Sequence, residues 1–320
     1  MFDSVQSFAN YITYTWLHLN GSHLGDALNF FIYDGIKIFI LLVLIVHIMT
    51  LMNHYLPIEK IRDFLARNKF YGFDYFLSAL FGAITPFCSC SSIPMFVGFL
   101  KAGIPMGITF TFLITSPLIN EVAVALFIGL FGWKITAIYV ASGMFLGMIG
   151  GWIIGKLKME GEVAEFIWKN KGTPSDITKE EIKWKKFIGQ VSKDSFSLIW
   201  KIMPYVLLGV ALGGIIHGFI PTGFFEKYIT KNNPFAIPIA VILGIPMYAN
   251  ATSIIPVIQA LIMKGIPLGT GLAFMMAVIG LSLPEFLILK KVMKTKLLLT
   301  FFGIVGIFII LLGYFFNLVL

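Results

Sequence analysis

The distribution of apolar residues along the chain predicts a bundle of membrane-spanning helices. An α-helix rises about 1.5 Å per residue, so about 20 apolar residues cross a hydrocarbon core of about 30 Å. The apolar runs are continuous and lack the alternation of half-buried strands, which favours helices. The sequence predicts six spans, at Ile36–Met52, Ile108–Leu130, Ile135–Gly155, Leu198–Ile220, Leu268–Leu289 and Leu297–Leu320.

Two further apolar stretches are interrupted by proline and small polar residues. The first covers residues 73–87 and resumes over 93–100, and the second covers 234–247 and resumes over 254–263. Each half is too short to cross a bilayer alone. We therefore predict that each pair forms a broken helical hairpin that enters and leaves the membrane by one face.

The two hairpins belong to an internal repeat. Gly82, Pro94, Gly103, Pro105 and Gly107 all recur 162 positions later as the same residue types. With re-entrant hairpins, each copy makes three full crossings, so the second copy is inverted relative to the first. The predicted fold class is an all-α polytopic membrane protein of two inverted-topology repeats, each with three full spans plus a broken hairpin. Hairpins that crossed fully would instead make the copies parallel.

The repeat divides the chain into four predicted segments. They are an interfacial N-terminal segment (1–35), membrane repeat 1 (36–155), a charged cytoplasmic linker (156–197) and membrane repeat 2 (198–320). The linker contains too few residues for a sizeable core of its own.

Composition and charge agree with this division. Of the 320 residues, 58% are hydrophobic and only 12% are charged, against about 25% charged in soluble proteins. This composition excludes a soluble enzyme, a disordered chain and a nucleic-acid binder. With the N-terminus outside, the inside receives 19 of the 24 Lys and Arg residues and the outside five, as the positive-inside rule requires. We expect a multi-pass protein of the cell membrane that contacts lipid and binds no nucleic acid.

The first break contains both cysteines of the chain, in the run Cys88, Ser89, Cys90, Ser91 and Ser92. Two thiols offer soft donors that suit thiophilic species such as trivalent arsenic or Cu(I). The alternative is that these are simply small residues that let helix backbones approach each other.

The second break supplies hydroxyls and an amide but no sulfur, through Tyr248, Asn250, Thr252 and Ser253. If both breaks line one site, it has thiols on one side and polar groups on the other. Helix N-termini at the breaks favour an anionic or electron-rich group.

Three polar residues lie inside predicted spans and are candidates for chemistry. Asn120 and Glu121 lie in the span after the first hairpin, and Glu285 lies in the corresponding span of the second copy. A carboxylate in lipid is expensive and marks a functional candidate, here as a proton carrier. The alternatives are a structural hydrogen bond for Glu121 and, for Glu285, an interfacial position beside Lys290 and Lys291.

The motifs around the first break resemble the predicted-permease family that includes the organoarsenical efflux permeases (ArsP-type). The resemblance rests on Thr85–Pro94, Lys101–Gly107, Thr115–Pro117, Asn120-Glu121 and, in the second copy, Gly265–Gly269 and Leu283–Glu285.

This resemblance implies a multi-pass permease of the cell membrane. In arsenic-exporting members the cysteine motif takes trivalent methylated or aromatic arsenicals, a role that would fall on Cys88 and Cys90. Tyr248 and Asn250 stand where further cysteines would have suited such a site. The resemblance does not fix arsenic as the substrate.

We predict a secondary transporter or exporter rather than an enzyme. The sequence has no Rossmann glycine fingerprint, phosphate-binding loop or HExxH motif, and we expect no cofactor. The substrate would be a small molecule or metalloid, with proton coupling through Glu121 or Glu285. Three alternatives remain: an intramembrane thiol oxidoreductase, a passive channel, and a membrane subunit that binds a partner at the linker. Homo-oligomers are also open.

Overall fold

The computed structural model gives an almost entirely helical chain. Among the residues that it describes there is no strand, only one isolated bridge pair, which agrees with the predicted all-α class. The described residues are 3–55, 72–85, 89–119, 121–165, 233–247, 251–263 and 265–320, with single residues between 189 and 211.

The N-terminal segment is helical and packs on the first long helix. Helix α1 (Asp3–Asn10) is followed by a π-helix (Tyr11–Trp16) and by α2 (His23–Tyr55). Gln6 Nε2 donates a hydrogen bond to Asn29 Oδ1 at 3.1 Å, which links α1 to α2. The first long helix therefore begins before the span predicted from sequence, and the interfacial position of residues 1–35 stays a prediction.

Four helices follow in the first copy of the repeat. They are α3 (Phe73–Ile84), α4 (Ser89–Lys101), α5 (Met106–Leu118) and α6 (Glu121–Lys156). Helix α6 is interrupted at Gly132, whose φ of 80° lies in the left-handed region that glycine adopts without strain.

Five helices are described in the second copy. They are α7 (Ala236–Gly244), α8 (Ala251–Met263), α9 (Leu268–Gly280), α10 (Leu283–Leu289) and α11 (Thr295–Val319).

The helices of the two copies correspond in length and position. Helices α4 and α8 each contain 13 residues, as do α5 and α9, and each pair starts 162 positions apart. The turns between them also agree. Gly103 and Gly265 have φ of 83° and 99°, and Pro105 and Pro267 both have ψ of 138° at the helix N-cap.

Two spans predicted as continuous helices are broken. The span over 108–130 ends as a helix at Leu118, and Ile119 is extended before α6 begins. The span over 268–289 breaks at Ser282, which is also extended. Pro284 explains the second break, since it has no N–H to donate back to α9 and a helix running through it would lose that hydrogen bond.

Helices α5 and α9 form the centre of the bundle. All 13 residues of α5 are buried, as is nearly all of α9. Helix α5 packs against α3, α4 and α6, while α9 packs against α7, α8 and α11. Within the described part of the chain, three segments are long and apolar enough to cross a membrane: Ala123–Lys156, Leu268–Leu289 and Thr295–Val319. The chain is therefore a multi-pass membrane protein.

The start of the predicted linker is bonded to the turn between α10 and α11. Val163 and Met293 form an antiparallel bridge and are 1% and 2% exposed. Ala164 N donates to Val292 O at 2.9 Å, and Lys294 N donates to the Glu162 carbonyl at 2.7 Å. The end of α6 and the start of α11 thus lie at the same end of the bundle.

Candidate functional site

The first break separates α3 from α4. The Thr85 hydroxyl closes the end of α3 by donating to the Phe81 carbonyl at 2.6 Å. Helix α4 then begins at Ser89, so its first turn contains Cys90. Ser92, in the same turn, is fully buried.

The second break separates α7 from α8 in the same way. Met247 N donates to the Gly244 carbonyl at 3.0 Å at the end of α7. Helix α8 begins at Ala251, so Thr252 and Ser253 lie in its first turn. In both copies, therefore, the polar run leads into the N-terminus of a helix, where backbone N–H groups are unused and the helix dipole is positive.

Several predicted site residues lie wholly or partly outside the described residues. Cys88, Asn120, Tyr248 and Asn250 lie outside them, and for six others the backbone alone is described. These six are Ser89, Cys90, Ser91, Glu121, Thr252 and Ser253. The binding roles predicted for these residues stay predictions.

Each break lies beside the last turn of a central helix. A Cβ atom placed on Gly82 would lie 3.2 Å from Ser116 N on α5. A Cβ atom on Gly244 would lie 3.1 Å from the Phe274 carbonyl on α9. A Cβ atom at either position would be tighter than an ordinary van der Waals contact, and both glycines come just before a break.

The ends of α5 and α9 touch each other. A Cβ atom on Gly280 would lie 2.9 Å from Leu118 Cδ2. Gly280 and Leu118 are the last residues of their helices and occupy equivalent positions in the two copies. Because each break lies beside one of these ends, both breaks come to the same region of the bundle.

A tyrosine that sequence reasoning missed supports the end of α5. The Tyr139 hydroxyl donates to the Leu118 carbonyl at 2.9 Å. The Tyr139 ring is buried and stacks on Phe127 with centroids 4.7 Å apart. Aligning the two copies would have flagged it, because Phe301 stands at the equivalent position and has no hydroxyl.

Glu285 is the one predicted carboxylate whose side chain is described, and it is buried. It is 1% exposed, and neither carboxylate oxygen has a hydrogen-bond partner among the described residues. The neighbouring Lys290 and Lys291 are exposed, and the interfacial position of Glu285 stays an alternative.

Helix α10, which carries Glu285, connects the two breaks. Leu283 N at its start donates to the Ile245 carbonyl in the second break at 3.0 Å. The same helix packs against α4, which begins at the first break. Glu285 therefore lies on a helix that contacts elements adjoining both breaks.

The two glutamates are not equivalent positions of the repeat. At the offset of 162, Glu285 corresponds to Ala123, and Glu121 corresponds to Leu283. What they share is a place in the first turn of the helix that follows a break.

Among the residues whose side chains are described, no three His, Cys, Asp or Glu side chains are grouped to hold a metal ion. A resident metal centre of ordinary composition is therefore not formed by the described part. The two thiols lie outside that set.

Comparison with known proteins gives the family. A family model described as "Predicted permease" (ArsP_1) matches residues 23–318. The UPF0718 protein MJ0584 of Methanocaldococcus jannaschii is 23% identical over 85% of this chain and 92% of its own length. The UPF0718 protein YraQ of Escherichia coli K12 is 22% identical, over 78% of this chain and 68% of its own length.

A third relative matches a shorter part. The UPF0718 protein YcgR of Bacillus subtilis 168 is 32% identical over 27% of this chain. No solved structure matches the chain. The family match confirms the resemblance inferred from the motifs around the first break and indicates a transporter rather than an enzyme. Since the family model covers nearly the whole sequence, this chain belongs to the predicted-permease family.

Proposed function

We propose that this protein is a secondary transporter that moves a small substrate through a site at mid-membrane, built where two inverted repeats meet. One observation carries the proposal: the equivalent helices α5 and α9 start at opposite ends of α11.

Contacts with helix α11 show where α5 and α9 lie along the length of the bundle. Near its start, Phe301 contacts Phe110 in the first half of α5, with ring centroids 5.7 Å apart. Toward its end, Gly313 and Asn317 contact Gly269 at the start of α9, where Gly269 N donates to Asn317 Oδ1 at 2.7 Å. Gly313 and Asn317 lie 12 and 16 residues beyond Phe301, which is about 18 to 24 Å at about 1.5 Å per residue. The two central helices therefore contact α11 at well-separated levels, which supports opposite orientations of the two copies.

The meeting of the helix ends fits this arrangement. Helices α5 and α9 have 13 residues each, so each rises about 18 Å. Two such helices entering a core of about 30 Å from opposite faces overlap by a few ångströms at mid-depth. The contact between Leu118 and Gly280 is what that overlap requires. Broken helices that meet at the midplane are the usual site architecture of inverted-repeat transporters.

The charge distribution supports one orientation in the cell membrane. The exposed lysines at the α5-start end of the bundle are Lys101, Lys156, Lys158, Lys290, Lys291, Lys294 and Lys296. Of the exposed lysines described, Lys134 belongs to the opposite end. By the positive-inside rule the lysine-rich end faces the cytoplasm, and the linker begins there.

Matched labelling of equivalent positions tests the inversion. Lys134 and Lys296 are both exposed and stand 162 positions apart. In a Cys88→Ser/Cys90→Ser background, we expect Lys134→Cys to react with a membrane-impermeant maleimide in intact cells, and Lys296→Cys to react only after permeabilisation. Labelling of both positions from one side would refute the inverted arrangement.

For the substrate, we propose a thiophilic species such as a trivalent organoarsenical, bound by Cys88 and Cys90. Soft donors bind soft acceptors, and the membership in the predicted-permease family is in keeping with transport. Ser89, Ser91 and Ser92 would line the same side.

Polar groups from the second copy and from the break between α5 and α6 would complete the site. The amides of Asn120 and Asn250 and the hydroxyls of Tyr248, Thr252 and Ser253 would orient the substrate, because they belong to or adjoin the two breaks. The N-terminal turns of α4 and α8 favour electron-rich groups there.

For the driving force, we propose a cation that binds a buried carboxylate, with a proton as the simplest case. Glu121 and Glu285 both follow a break, and a buried carboxylate in a membrane is costly unless it is neutralised. Loading and release of a proton at such a group would link substrate movement to the proton gradient.

Growth and export assays test the function. Cells that lack the endogenous exporter are grown against soft-metal and arsenical toxins, with wild type, Cys88→Ser/Cys90→Ser, or Thr300→Ala as a control outside the breaks. We expect resistance to at least one toxin to require the thiols and to be kept by Thr300→Ala. Resistance that is independent of both thiols for every compound would refute the soft-ligand site. In everted vesicles, export that persists after the gradient is collapsed would refute proton coupling.

A further inference from the structure

The two copies differ at the C-terminal end of their central helices. In the first copy the Tyr139 hydroxyl satisfies the carbonyl of Leu118. The equivalent residues of the second copy are Phe301 and Gly280, and phenylalanine has no hydroxyl to donate. The hydrogen bond that the Tyr139 hydroxyl makes therefore has no counterpart at the equivalent position of the second copy.

The end of α9 consequently has carbonyl oxygens without a hydrogen-bond donor among the described residues. No hydrogen-bond donor from the described residues reaches the carbonyl oxygen of Ile279 or Gly280, since Leu283 N is bonded to Ile245 instead. Ser282, in the break itself, is 2% exposed. Free carbonyls at a helix C-terminus carry the negative end of the helix dipole, and unsatisfied carbonyls are costly in lipid.

An acidic side chain follows the break in each copy, but at a different position: Glu121 is the first residue of α6, whereas Glu285 is the third residue of α10. Glu285 replaces the apolar Ala123 of the first copy, and both of its oxygens are buried without a described partner. Helix α10 packs on α4 and contacts α7 and α11.

The positive charges near α10 lie at the surface of the bundle. Among the described residues, α7 has no ionisable side chain, α4 has only Lys101 and Cys90, and α11 has lysines only in its first turn, together with Tyr314 near its end. Lys101, Lys290, Lys291 and Lys296 are exposed, so no fixed cation is described beside the Glu285 carboxylate.

We propose that the break between α9 and α10 is a binding site for a monovalent cation of the size of Na⁺, held by the Glu285 carboxylate, the Gly280 carbonyl and the Ser282 hydroxyl. All three ligands are oxygen atoms, which hard cations prefer. Unwound carbonyls and helix C-termini bind Na⁺ in transporters with broken helices. The role of this cation as the coupling ion rests on the proposed transport function. Its binding to the site does not depend on that function.

The charge balance selects a monovalent ion. One carboxylate and one monovalent cation are neutral together, whereas a divalent ion would leave a net charge in the apolar core, at high cost. A proton competes for the same carboxylate, so Na⁺ binding weakens as the pH falls. This site is chemically distinct from the two thiols, which select soft ions.

Thermal unfolding of the purified full-length protein tests the proposal. The midpoint is measured against increasing NaCl, with choline chloride keeping the ionic strength constant and KCl as a second series. We expect a saturable rise with Na⁺ for wild type, because an ion that binds only the folded state stabilises it. Glu285→Gln should lose this rise. Phe301→Tyr supplies the missing hydroxyl and should weaken the apparent Na⁺ affinity about fivefold, since one ligand is then capped.

Tyr139→Phe is the matched control, because it uncaps the equivalent carbonyl of the first copy and leaves Glu285, Gly280 and Ser282 unchanged. We expect this variant to keep the Na⁺ response of wild type, although its midpoint is lower. An equal rise in choline chloride, an undiminished rise in Glu285→Gln, or no Na⁺ effect between pH 6 and pH 9 would each overturn the proposal. If Glu285→Gln does not fold, Phe301→Tyr decides: an unchanged affinity overturns the site. In wild type, no Na⁺ effect together with intact toxin export would refute this site alone, and a Na⁺ effect without toxin export would refute the proposed transport alone.

Discussion

Substituting Gly151 by alanine tests the close packing that positions the central helix of the first copy. A Cβ atom at Gly151 would lie 2.5 Å from the Gly107 carbonyl and 2.7 Å from Thr111 N, against 3.4 Å for an ordinary contact. These are backbone atoms that no rotamer change can move. Helices α5 and α6 would therefore have to separate by the difference, which is 0.7 to 0.9 Å.

The expected loss follows from that separation. Overpacking of this kind costs about 1–3 kcal/mol. A shift of about 2–4 °C per kcal/mol holds for domains of 150–250 residues, so overpacking by itself should lower the unfolding midpoint of Gly151→Ala by at least about 2 °C. Alanine has a higher helix propensity than glycine by about 1 kcal/mol, which acts in the opposite direction and makes a measured decrease more informative.

The control is Gly303→Ala on α11, where a Cβ atom meets nothing within 4 Å. The same propensity gain applies there without a clash, so this variant should melt at or above the wild-type midpoint. Both variants are compared in one detergent by fluorescence-detected gel filtration after heating. If Gly151→Ala is as stable as Gly303→Ala, α5 and α6 are not in backbone contact and the described packing is wrong.

Three further substitutions test other contacts. In a cysteine-free background, Val163→Cys combined with Met293→Cys should form a disulfide under mild oxidation, because residues paired across an antiparallel bridge have Cβ atoms about 5 Å apart. The disulfide is measured as loss of maleimide labelling. The control pair, Val163→Cys with Leu299→Cys, should form none. Tyr139→Phe should lower stability by about 0.5–2 kcal/mol, since it leaves a buried carbonyl unsatisfied, and a midpoint equal to wild type in thermal unfolding would contradict the hydrogen bond. Asn317→Leu removes the acceptor of a hydrogen bond from the first turn of α9 and should lower the free energy of unfolding by a similar amount. An unchanged unfolding midpoint would show that this hydrogen bond does not contribute to stability.

Local signals in the sequence were sufficient for the fold class and for the position of the hairpins. Apolar run lengths identified membrane helices, and the recurring Gly103, Pro105 and Gly107 marked the turn that starts each central helix. These residues are informative because their backbone requirements are local: a positive φ at Gly103 and a fixed φ at Pro105. The starts of helices α4, α5, α8 and α9 were therefore recoverable to within a few residues.

The breaks after the central helices could not be read from composition. Ile119 and Leu281 are apolar, and the predicted spans continued through the polar residues Asn120 and Ser282 that follow them. The carbonyl at the end of α5 is bonded by a distant group, the Tyr139 hydroxyl. The pairing of Val163 with Met293 is likewise a contact between residues far apart in sequence. Neither partner carries a local motif for it.

The candidate site was predicted in its residue types more than in its geometry. The sequence identified Glu285 as costly in a membrane, but its burial and its lack of a described partner are tertiary facts. It also suggested that Glu121 and Glu285 correspond, which the helix boundaries exclude. A short shared motif was too weak to fix the register, whereas the run of glycines and prolines at one offset was sufficient.

The pattern of agreement between the copies separates packing from chemistry. Positions that match at the offset of 162 include Gly82 with Gly244 and Gly107 with Gly269, and all four let a backbone approach a central helix. Positions that differ are polar: Glu285 where the first copy has Ala123, and the thiols that only the first break has. Identical halves would give an inward-facing and an outward-facing form of equal energy under the proposed inversion. The shared glycines contribute equally to both forms. The polar differences can therefore make one form more stable than the other, and they allow the two halves to bind different ligands.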